Sequence, residues 1–452
     1  MTNASHLRAG SVAPSGVCHL CLAAAIACVL TWPGSVPCVY AAASDQSADA
    51  PSNTNSQSAD QRTEDIEELK RRLEVLAQEV ERFRSGEEER ELTAEETRAL
   101  GLAPSAASAY TKRQGISVAG YGEALYENFE GDRTSQFDFV RAVIYTGYRF
   151  SDRFVFNSEI EFEHGGDELG VEFAYVDYIV NPRVTVRGGL LLMPLGLVNE
   201  FHEPNVFLGA RRPATESQII PSTWRENGVG VLGTVGRFSY RGYLVNGFDG
   251  SGFTADGLRG GRQNGGEAKA DDLGVVGRLD YAPGPGVFVG VGAYRGGADQ
   301  SAPTTGGGEL HVTTTIVELH GQAQLRGFDV RGLFAHAEVD GAEALSVAND
   351  LPRDEAVAST MRGVYLQLGY NVLATVTERL RLTPYYRFEV VDTQRDVPAG
   401  FIRDPARDVT GHVIGAELRP IYNIVVKADY QVTDNDAGTG RDQFNIALGY
   451  AF

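Results

Sequence analysis

The last ten residues of the chain, 443–452, alternate strictly between large apolar side chains and small or polar ones. The large apolar side chains are Phe444, Ile446, Leu448, Tyr450 and Phe452. Side chains of a strand alternate between its two faces, so this strand has one wholly apolar face. A transmembrane barrel turns such a face toward lipid, whereas a soluble β-sandwich buries it. The alternation favours a barrel strand, with the sandwich as the alternative.

The same alternation recurs in sixteen segments after residue 115. The predicted strands are 116–129, 134–150, 153–164, 169–181, 183–193, 224–235, 237–247, 272–282, 287–297, 309–326, 328–340, 358–376, 379–391, 409–419, 421–433 and 442–452. Short turns, such as 151–152, alternate with long loops rich in Gly, Asp and Thr, such as 194–223 and 248–271. Bacterial outer-membrane barrels have an even number of antiparallel strands, short periplasmic turns and long outer loops. The pattern therefore predicts an all-β transmembrane fold, a 16-stranded antiparallel outer-membrane β-barrel over residues 115–452.

The strand number and the hydropathy pattern also limit the class of protein. No run of 18 apolar residues follows the N-terminal region, which excludes a helical membrane protein. About eight strands enclose an interior that side chains fill, whereas sixteen leave an aqueous channel. The predicted barrel is therefore wide enough to conduct solutes.

Residues 1–43 have the features of a secretory signal peptide. A weakly basic start precedes the apolar stretch 20–30, and Ala41-Ala42-Ala43 resembles a cleavage site. All four Cys lie within this segment, so the mature protein is expected to contain neither disulfides nor thiol chemistry. Residues 25–28 are also compatible with a poor lipoprotein box, which is the alternative reading of this region.

Residues 44–61 are polar and aperiodic, which predicts a disordered tether, and 62–114 are predicted to form a periplasmic coiled coil with a linker helix. The apolar seam has heptad spacing and consists of Ile66, Leu69, Leu73, Leu76, Val80 and Phe83. We expect a parallel trimeric coil, and the alternative is one amphipathic helix packed on its own barrel. The linker helix is expected to start at Thr93, which has capping-box spacing to Glu96.

In each predicted strand the more apolar set of positions should face lipid and the other set the lumen. This rule assigns charges of both signs to the lumen. The candidate lumen-facing residues are Arg141, Glu159, Glu161, Arg187, Arg241, Arg278, Arg381, Arg387 and Lys427.

The long connection after the fifth strand carries the most distinctive motifs. They are Met193-Pro194-Leu195-Gly196, Glu203-Pro204, Arg211-Arg212-Pro213 and Arg225-Glu226-Asn227-Gly228. In these motifs the chain resembles the phosphate-selective porin O/P-like family of outer-membrane porins. The resemblance extends more loosely over about 115–452. The resemblance implies a trimeric sixteen-stranded porin whose third long loop, here 194–223, folds inward to narrow the channel. It also implies anion selectivity carried by Arg and Lys in the pore.

The candidate constriction residues are Arg211, Arg212 and Arg225, opposed by Glu200 and Glu203, with His202 beside them. Opposed charges would set up a transverse field across the channel and favour small polar solutes. Salt bridges that merely fix the loop to the wall are the alternative.

These observations predict a water-filled channel for passive diffusion of ions or small hydrophilic solutes, with anions such as phosphate among the candidates. One alternative is a barrel that mainly anchors a coiled coil for envelope partners. The other is a barrel enzyme or metal site using Glu200, His202 and Glu203. No second His lies near these residues in sequence and no His-Glu-x-x-His motif occurs, so we expect no catalytic residue, metal or cofactor.

The expected partners follow from the predicted location. They are outer-membrane lipid and lipopolysaccharide, two further copies of the chain in a homotrimer, and the barrel-assembly machinery, through the strand that ends in Phe452. The formal net charge of −20, with no basic patch, excludes nucleic acid.

Overall fold

The computed structural model describes residues 67–74, 92–131, 133–304, 306–377 and 379–452. The predicted signal peptide, the tether and most of the heptad seam lie outside the described residues. The chain divides into two units, Met1–Gln78 and Glu79–Phe452. In the first unit residues 67–74 form a helix (α1), on which Leu69 and Leu73 are 62% and 66% exposed.

The second unit contains a closed barrel of sixteen antiparallel strands, as the alternation predicted. The strands are β1 (Gly115–Phe129), β2 (Gln136–Arg149), β3 (Phe154–Glu163), β4 (Glu168–Asn181), β5 (Val184–Leu192), β6 (Arg225–Val235), β7 (Phe238–Asn246), β8 (Leu273–Gly284), β9 (Val287–Gly297), β10 (Thr313–Leu325), β11 (Phe328–Asp340), β12 (Thr360–Tyr370), β13 (Arg381–Asp396), β14 (Asp408–Ile421), β15 (Ile424–Asn435) and β16 (Gln443–Ala451). Each strand pairs with its neighbours in sequence, and β1 pairs with β16. Phe452 completes the closure, because its N–H donates to Gly120 O at 2.8 Å and its carbonyl accepts from Gly120 N at 2.9 Å.

The ends of some strands differ from the prediction. The segment 358–376 shortens to β12, and the apolar residues that follow form turns instead of strand. Asn371 stabilises these turns, since its Oδ1 accepts from the N–H groups of Leu373 and Leu382, both at 3.2 Å. Conversely, 379–391 was predicted to end five residues before the observed end of β13 at Asp396.

The outer surface of the barrel is apolar. Ile446, Leu448 and Tyr450 of β16 are 40%, 46% and 36% exposed, whereas Ala447 between them is buried. The apolar face of this strand thus points outward, which excludes the soluble sandwich. Four aromatic pairs, with ring centroids 4.7–5.0 Å apart, lie beside the short turns: Tyr148–Phe150, Phe154–Tyr178, Phe238–Tyr281 and Phe328–Tyr370. Such an aromatic rim is typical of a membrane interface.

Two parts of the chain occupy the interior. The inner loop, residues 193–224, joins β5 to β6, and most of its residues are buried. The N-terminal segment, residues 92–111, contains α2 (Ala94–Ala99) and α3 (Ser108–Thr111). The predicted capping box is present, with Thr93 as the N-cap of α2. The Thr93 hydroxyl accepts from the Glu96 backbone N–H, and the Glu96 carboxylate accepts from the Thr93 backbone N–H.

The N-terminal segment lies against the inner wall of the barrel. Asn157 of β3 donates to Ala106 O at 2.8 Å, and Tyr110 donates to Asp177 Oδ2 at 2.7 Å. The sequence predicted a linker helix here but not its position in the lumen. Among the described residues, no helix has the length and apolar character needed to cross a membrane. A fourth helix, α4 (Ala342–Ala348), lies in the loop between β11 and β12.

Candidate functional site at the inner loop

The two ends of the inner loop are joined by one side chain. Asn199 Nδ2 donates to Met193 O at 2.7 Å and to Trp224 O at 3.0 Å, and its Oδ1 accepts from Trp224 N at 2.7 Å. The amide therefore bonds the loop's first and last residues, and it satisfies buried backbone groups that would otherwise lack partners. This closure lets thirty-two residues fold as one compact unit inside the barrel.

A second side chain fixes the turn at the start of the loop. Glu216 Oε2 accepts from the N–H groups of Leu197 and Val198 at 2.6 and 2.7 Å, and Tyr365 of β12 donates to Oε1 at 2.5 Å. Burial raises the pKa of Glu216, and these three donors oppose the rise. The carboxylate thus connects the loop to itself and to the wall.

The inner loop crosses the lumen and binds the opposite wall. Ala210 N donates to Asp429 Oδ2 of β15 at 2.7 Å, and Lys427 Nζ donates to Phe207 O at 2.8 Å. Thr215 N donates to Glu389 of β13 at 2.7 Å. The loop is therefore attached on both sides, and any solute that crosses the barrel must pass beside it.

The two acidic residues predicted for the constriction bind separate partners. Glu200 Oε2 lies 3.5 Å from Arg241 and 3.9 Å from Arg278. Glu203 accepts from Ser105 of the N-terminal segment, and burial raises the pKa of Glu203 to about 7 although these hydrogen bonds lower it. Neither carboxylate contacts Arg211, Arg212 or Arg225 in the described residues, and the Glu200–His202–Glu203 group considered for an enzyme is not assembled.

His202 instead contacts two carboxylates of the wall. Its Nε2 lies 3.1 Å from Glu159 Oε1 and 3.0 Å from Glu172 Oε2. Burial lowers the pKa of His202, but the two carboxylates outweigh this effect and raise it to about 10. Glu172 was not among the sequence candidates, because a β-bulge between Glu159 and Ile160 changes the phase of β4 there and turns Glu172 inward.

The three predicted arginines differ in their contacts. Arg211 forms an ion pair with Glu127, and Arg225 lies 3.3 Å from Glu172 Oε1. Arg212 forms no hydrogen bond or ion pair among the residues that the structure describes, and its buried Nη2 has no partner. Arg212 is therefore the candidate whose charge is least neutralised by the protein.

Two further arginines, which no sequence motif singled out, lie beside this group. Arg259 donates to Ser222 O, and Arg262 donates to Thr223 O at 3.1 Å. Both side chains donate to carbonyl oxygens, which carry no net charge and so do not neutralise the guanidinium groups. Burial, together with Arg259 and Arg225, lowers the pKa of Arg262 to about 9. The sequence did not indicate that these two arginines lie near the inner loop, because they belong to the loop after β7, which only the tertiary fold brings beside it.

Eight of the nine residues assigned to the lumen are buried, and Arg381 is exposed at the short-turn end of β13. Several form ion pairs across neighbouring strands, including Arg141 with Glu161 at 3.0 Å and Arg187 with Asp177 at 2.8 Å. Such pairs leave little net charge on this part of the wall.

A cavity of about 580 Å³, the vestibule, lies between the N-terminal segment, the inner loop and the wall from β9 to β14. It reaches the short-turn end of the barrel at Gly327, Asn371 and Tyr422. Its charged lining residues are Arg98, Arg326, Arg331, Arg381, Arg419, Asp329 and Glu417. Asp329 and Glu417 are paired with Arg331 and Arg419, so the remaining charge of the lining is positive.

No family model matches the chain. An uncharacterised protein of Aquifex aeolicus (strain VF5) is 36% identical over 368 residues, which cover 78% of this chain and 83% of the Aquifex protein. The chain belongs to the same family as this Aquifex protein. The resemblance to the phosphate-selective porin O/P-like family is not confirmed by a family match.

Three solved outer-membrane proteins are similar in structure, each over 75% of this chain. They are OmpF of Salmonella typhi in complex with daunomycin (13% identity, 98% of that chain, TM-score 0.49), the outer-membrane channel DcaP of Acinetobacter baumannii (12%, 97%, 0.48) and a loop L8 deletion mutant of OmpT of Vibrio cholerae (14%, 100%, 0.49).

Proposed function

We propose that the chain forms an outer-membrane channel for passive diffusion of small hydrophilic anions. A closed barrel with an apolar exterior and an aromatic rim is suited to a lipid bilayer. Barrels of sixteen strands are wide enough to leave an aqueous channel, and the vestibule is an open space of about 580 Å³ beside the inner loop and the N-terminal segment. Flux through such a channel follows the concentration gradient and requires no catalytic step.

The charge of the vestibule is the observation that carries the preference for anions. Five arginines and two carboxylates line it, although the whole chain has a formal net charge of −20. A cleft lined by one sign of charge concentrates ions of the opposite sign, and its local charges matter more than the net charge of the protein. The acidic excess of the chain therefore does not argue for cation passage.

A second basic group borders the inner loop. Arg212, Arg225, Arg259 and Arg262 lie close enough to influence one another's ionisation, and only Arg225 pairs with a carboxylate among the described residues. An anion leaving the vestibule would meet further positive charge in this part of the lumen. Both groups favour the same sign of ion.

Planar-bilayer recordings with a tenfold KCl gradient test the proposal. We expect a reversal potential of the sign given by chloride permeation, and Arg381→Glu should move it toward the potassium value. Arg441→Glu makes the same charge change in an exposed outer loop and should leave it unchanged. A wild-type reversal potential at the potassium value would contradict anion preference, and folded protein without conductance would contradict the channel itself.

Phosphate is the solute that the family resemblance implies, and competition distinguishes it from anions in general. Micromolar phosphate that blocks the chloride current would indicate a phosphate-selective channel. A current that falls only when phosphate approaches the chloride concentration would indicate a general anion channel.

The partners belong to the same proposal. Outer-membrane lipid and lipopolysaccharide would surround the apolar exterior, and the assembly machinery would engage β16 with its terminal Phe452.

The exposed Leu69 and Leu73 on α1 support a periplasmic coil that gathers three chains. Crosslinking in mild detergent should give trimers, which Leu69→Gln together with Leu73→Gln should reduce and Glu74→Gln should not. Monomer alone from the wild type would contradict the trimer.

A further inference from the structure

We propose that Glu159, Glu172 and His202 bind a divalent transition-metal ion between the inner loop and the barrel wall. The three side chains converge from three separate parts of the chain: β3, the bulge of β4 and the inner loop. Each offers one ligand atom, and these atoms lie within 4.8 Å of one another. The site is separate from the basic vestibule and goes beyond passive diffusion.

The imidazole is oriented for coordination. Its Nδ1 lies 2.9 Å from Asn199 O, and since a carbonyl only accepts, Nδ1 carries the hydrogen. Nε2 is therefore the atom that faces Glu159 and Glu172. Asn199 is itself fixed by its bonds to both ends of the inner loop. A hydrogen bond from the distal ring nitrogen to a backbone carbonyl is a common way in which proteins orient metal-binding histidines.

Each of the two carboxylates is also held by a neighbouring side chain. Tyr121 donates to Glu159 Oε1 at 3.2 Å, and Arg225 lies 3.3 Å from Glu172 Oε1. The Oε2 atoms of both carboxylates are buried: that of Glu159 receives no hydrogen bond within the described residues, and that of Glu172 lies 3.0 Å from His202 Nε2. Buried polar atoms without hydrogen bonds are rare in proteins, and carboxylate oxygens in this state, close to one imidazole nitrogen, are suited to bind a cation. Each ligand is thus held by a neighbour and keeps an atom available.

The ligand types limit the metal. Imidazole and carboxylates suit zinc and other first-row divalent ions, whereas calcium prefers six to eight oxygen ligands. Three protein ligands leave at least one coordination position for water or another small molecule. Sequence spacing gave no indication of this set, and we had expected no metal, because the ligands are not close in sequence and Glu172 turns inward only at a bulge.

The competing occupant is a proton. A protonated imidazole donating from Nε2 would also hold the two carboxylates together, and it would bind no metal. The two occupants predict opposite results in one binding measurement.

The measurement uses the full chain without a polyhistidine tag, folded in detergent, stripped with a chelator and equilibrated with zinc. We expect one zinc per chain in competition with a chromophoric chelator, and loss of this zinc in His202→Gln and Glu172→Gln. His311→Gln removes a histidine that is 84% exposed and should retain the zinc. Tyr121→Phe removes only the supporting hydroxyl and should weaken binding by about 10- to 100-fold.

The wild type alone is decisive if the ligand variants fail to fold. Heat-modifiable wild-type protein that retains no zinc would overturn the proposal in favour of the proton. Zinc-soaked crystals provide a second measurement. An anomalous peak between His202, Glu159 and Glu172 would support the site, and a peak only at His311 and Glu309 would overturn it.

Discussion

Ser105 donates two hydrogen bonds to the buried carboxylate of Glu203. Its backbone N–H donates to Oε1 at 3.0 Å and its hydroxyl to Oε2 at 3.1 Å. The pair joins the N-terminal segment to the inner loop, two parts of the chain that both lie inside the barrel. Displacement of either part would break both bonds and leave a fully buried carboxylate without these partners.

Ser105→Ala should destabilise the barrel by about 1–3 kcal/mol, because one buried carboxylate oxygen loses its donor. Urea unfolding in lipid vesicles measures this change through the fluorescence of Trp224, since the other tryptophan, Trp32, lies in the predicted signal peptide. Ser239→Ala is the control, because the Ser239 hydroxyl forms no hydrogen bond among the described residues. Equal effects of the two substitutions would show that the contact with Glu203 contributes nothing.

Asn199→Asp should loosen the inner loop while it preserves the size of the side chain. The variant keeps the acceptor for Trp224 N but replaces two N–H donors with an oxygen that faces the carbonyls of Met193 and Trp224. We expect a loss of at least about 2 kcal/mol from the unpaired buried groups, and new protease cleavage within residues 193–224.

Asn181→Asp is the matched control for this substitution. The exposed Asn181 uses only its oxygen, which accepts from Arg183 N at 2.9 Å, so the carboxylate retains that bond. Protection of the inner loop in both variants would contradict the assigned role of Asn199.

Arg212→Glu should reduce the preference for anions without loss of folding, because Arg212 has no partner to lose in the described residues. At a distance of about 6 Å in water, a change of two charge units alters the local ion energy by about 1.4 kcal/mol, or about tenfold in concentration. Salt reduces this value. The reversal potential in a KCl gradient measures the effect, and Arg441→Glu serves as the control. An unchanged potential would mean that Arg212 does not face the ion path.

Glu216→Gln should weaken the dependence of stability on pH. The pKa of Glu216 is raised in the folded state, so ionisation disfavours folding, and this loss develops as pH rises from about 4, near the pKa of the unfolded chain, through the folded pKa. The variant lacks this loss. The free energy of unfolding of the variant, relative to that of the wild type, should therefore increase from pH 4 to pH 8.

Urea unfolding at these two pH values measures the difference. Glu355→Gln removes an exposed carboxylate and should reproduce the wild-type dependence. An identical change with pH in the wild type and in Glu216→Gln would exclude a raised pKa for this group.

The inward positions of Glu159 and Arg187 followed from alternation alone, because β3 pairs with β2, and β5 with β6, without a break in register at these residues. The same rule failed to select Glu172, since one extra residue at the bulge reverses the phase of β4. A bulge arises from pairing with a neighbouring strand and leaves no clear periodic signal in its own sequence. The sequence therefore selected His202 and Glu159 of this site but not Glu172.

The partners of Glu200 show the same limit. The sequence placed Glu200 in a loop with Arg211 and Arg212, yet its buried carboxylate lies beside Arg241 and Arg278 of the wall. A loop of this length can place a given side chain beside many different strands. Burial favours an arrangement in which a buried carboxylate such as that of Glu200 lies beside positive charge.

The sequence by itself determined the barrel, its strand number, the outward face of β16 and the capping box of α2. These features depend on alternation along one strand, on turn lengths and on contacts between residues three positions apart, all of which are local. Only the tertiary structure decided that the N-terminal segment lies in the lumen, that the vestibule is basic in an acidic protein, and that Glu172 meets His202. Those outcomes depend on which distant groups can satisfy one another inside a confined space, and no local period encodes that choice.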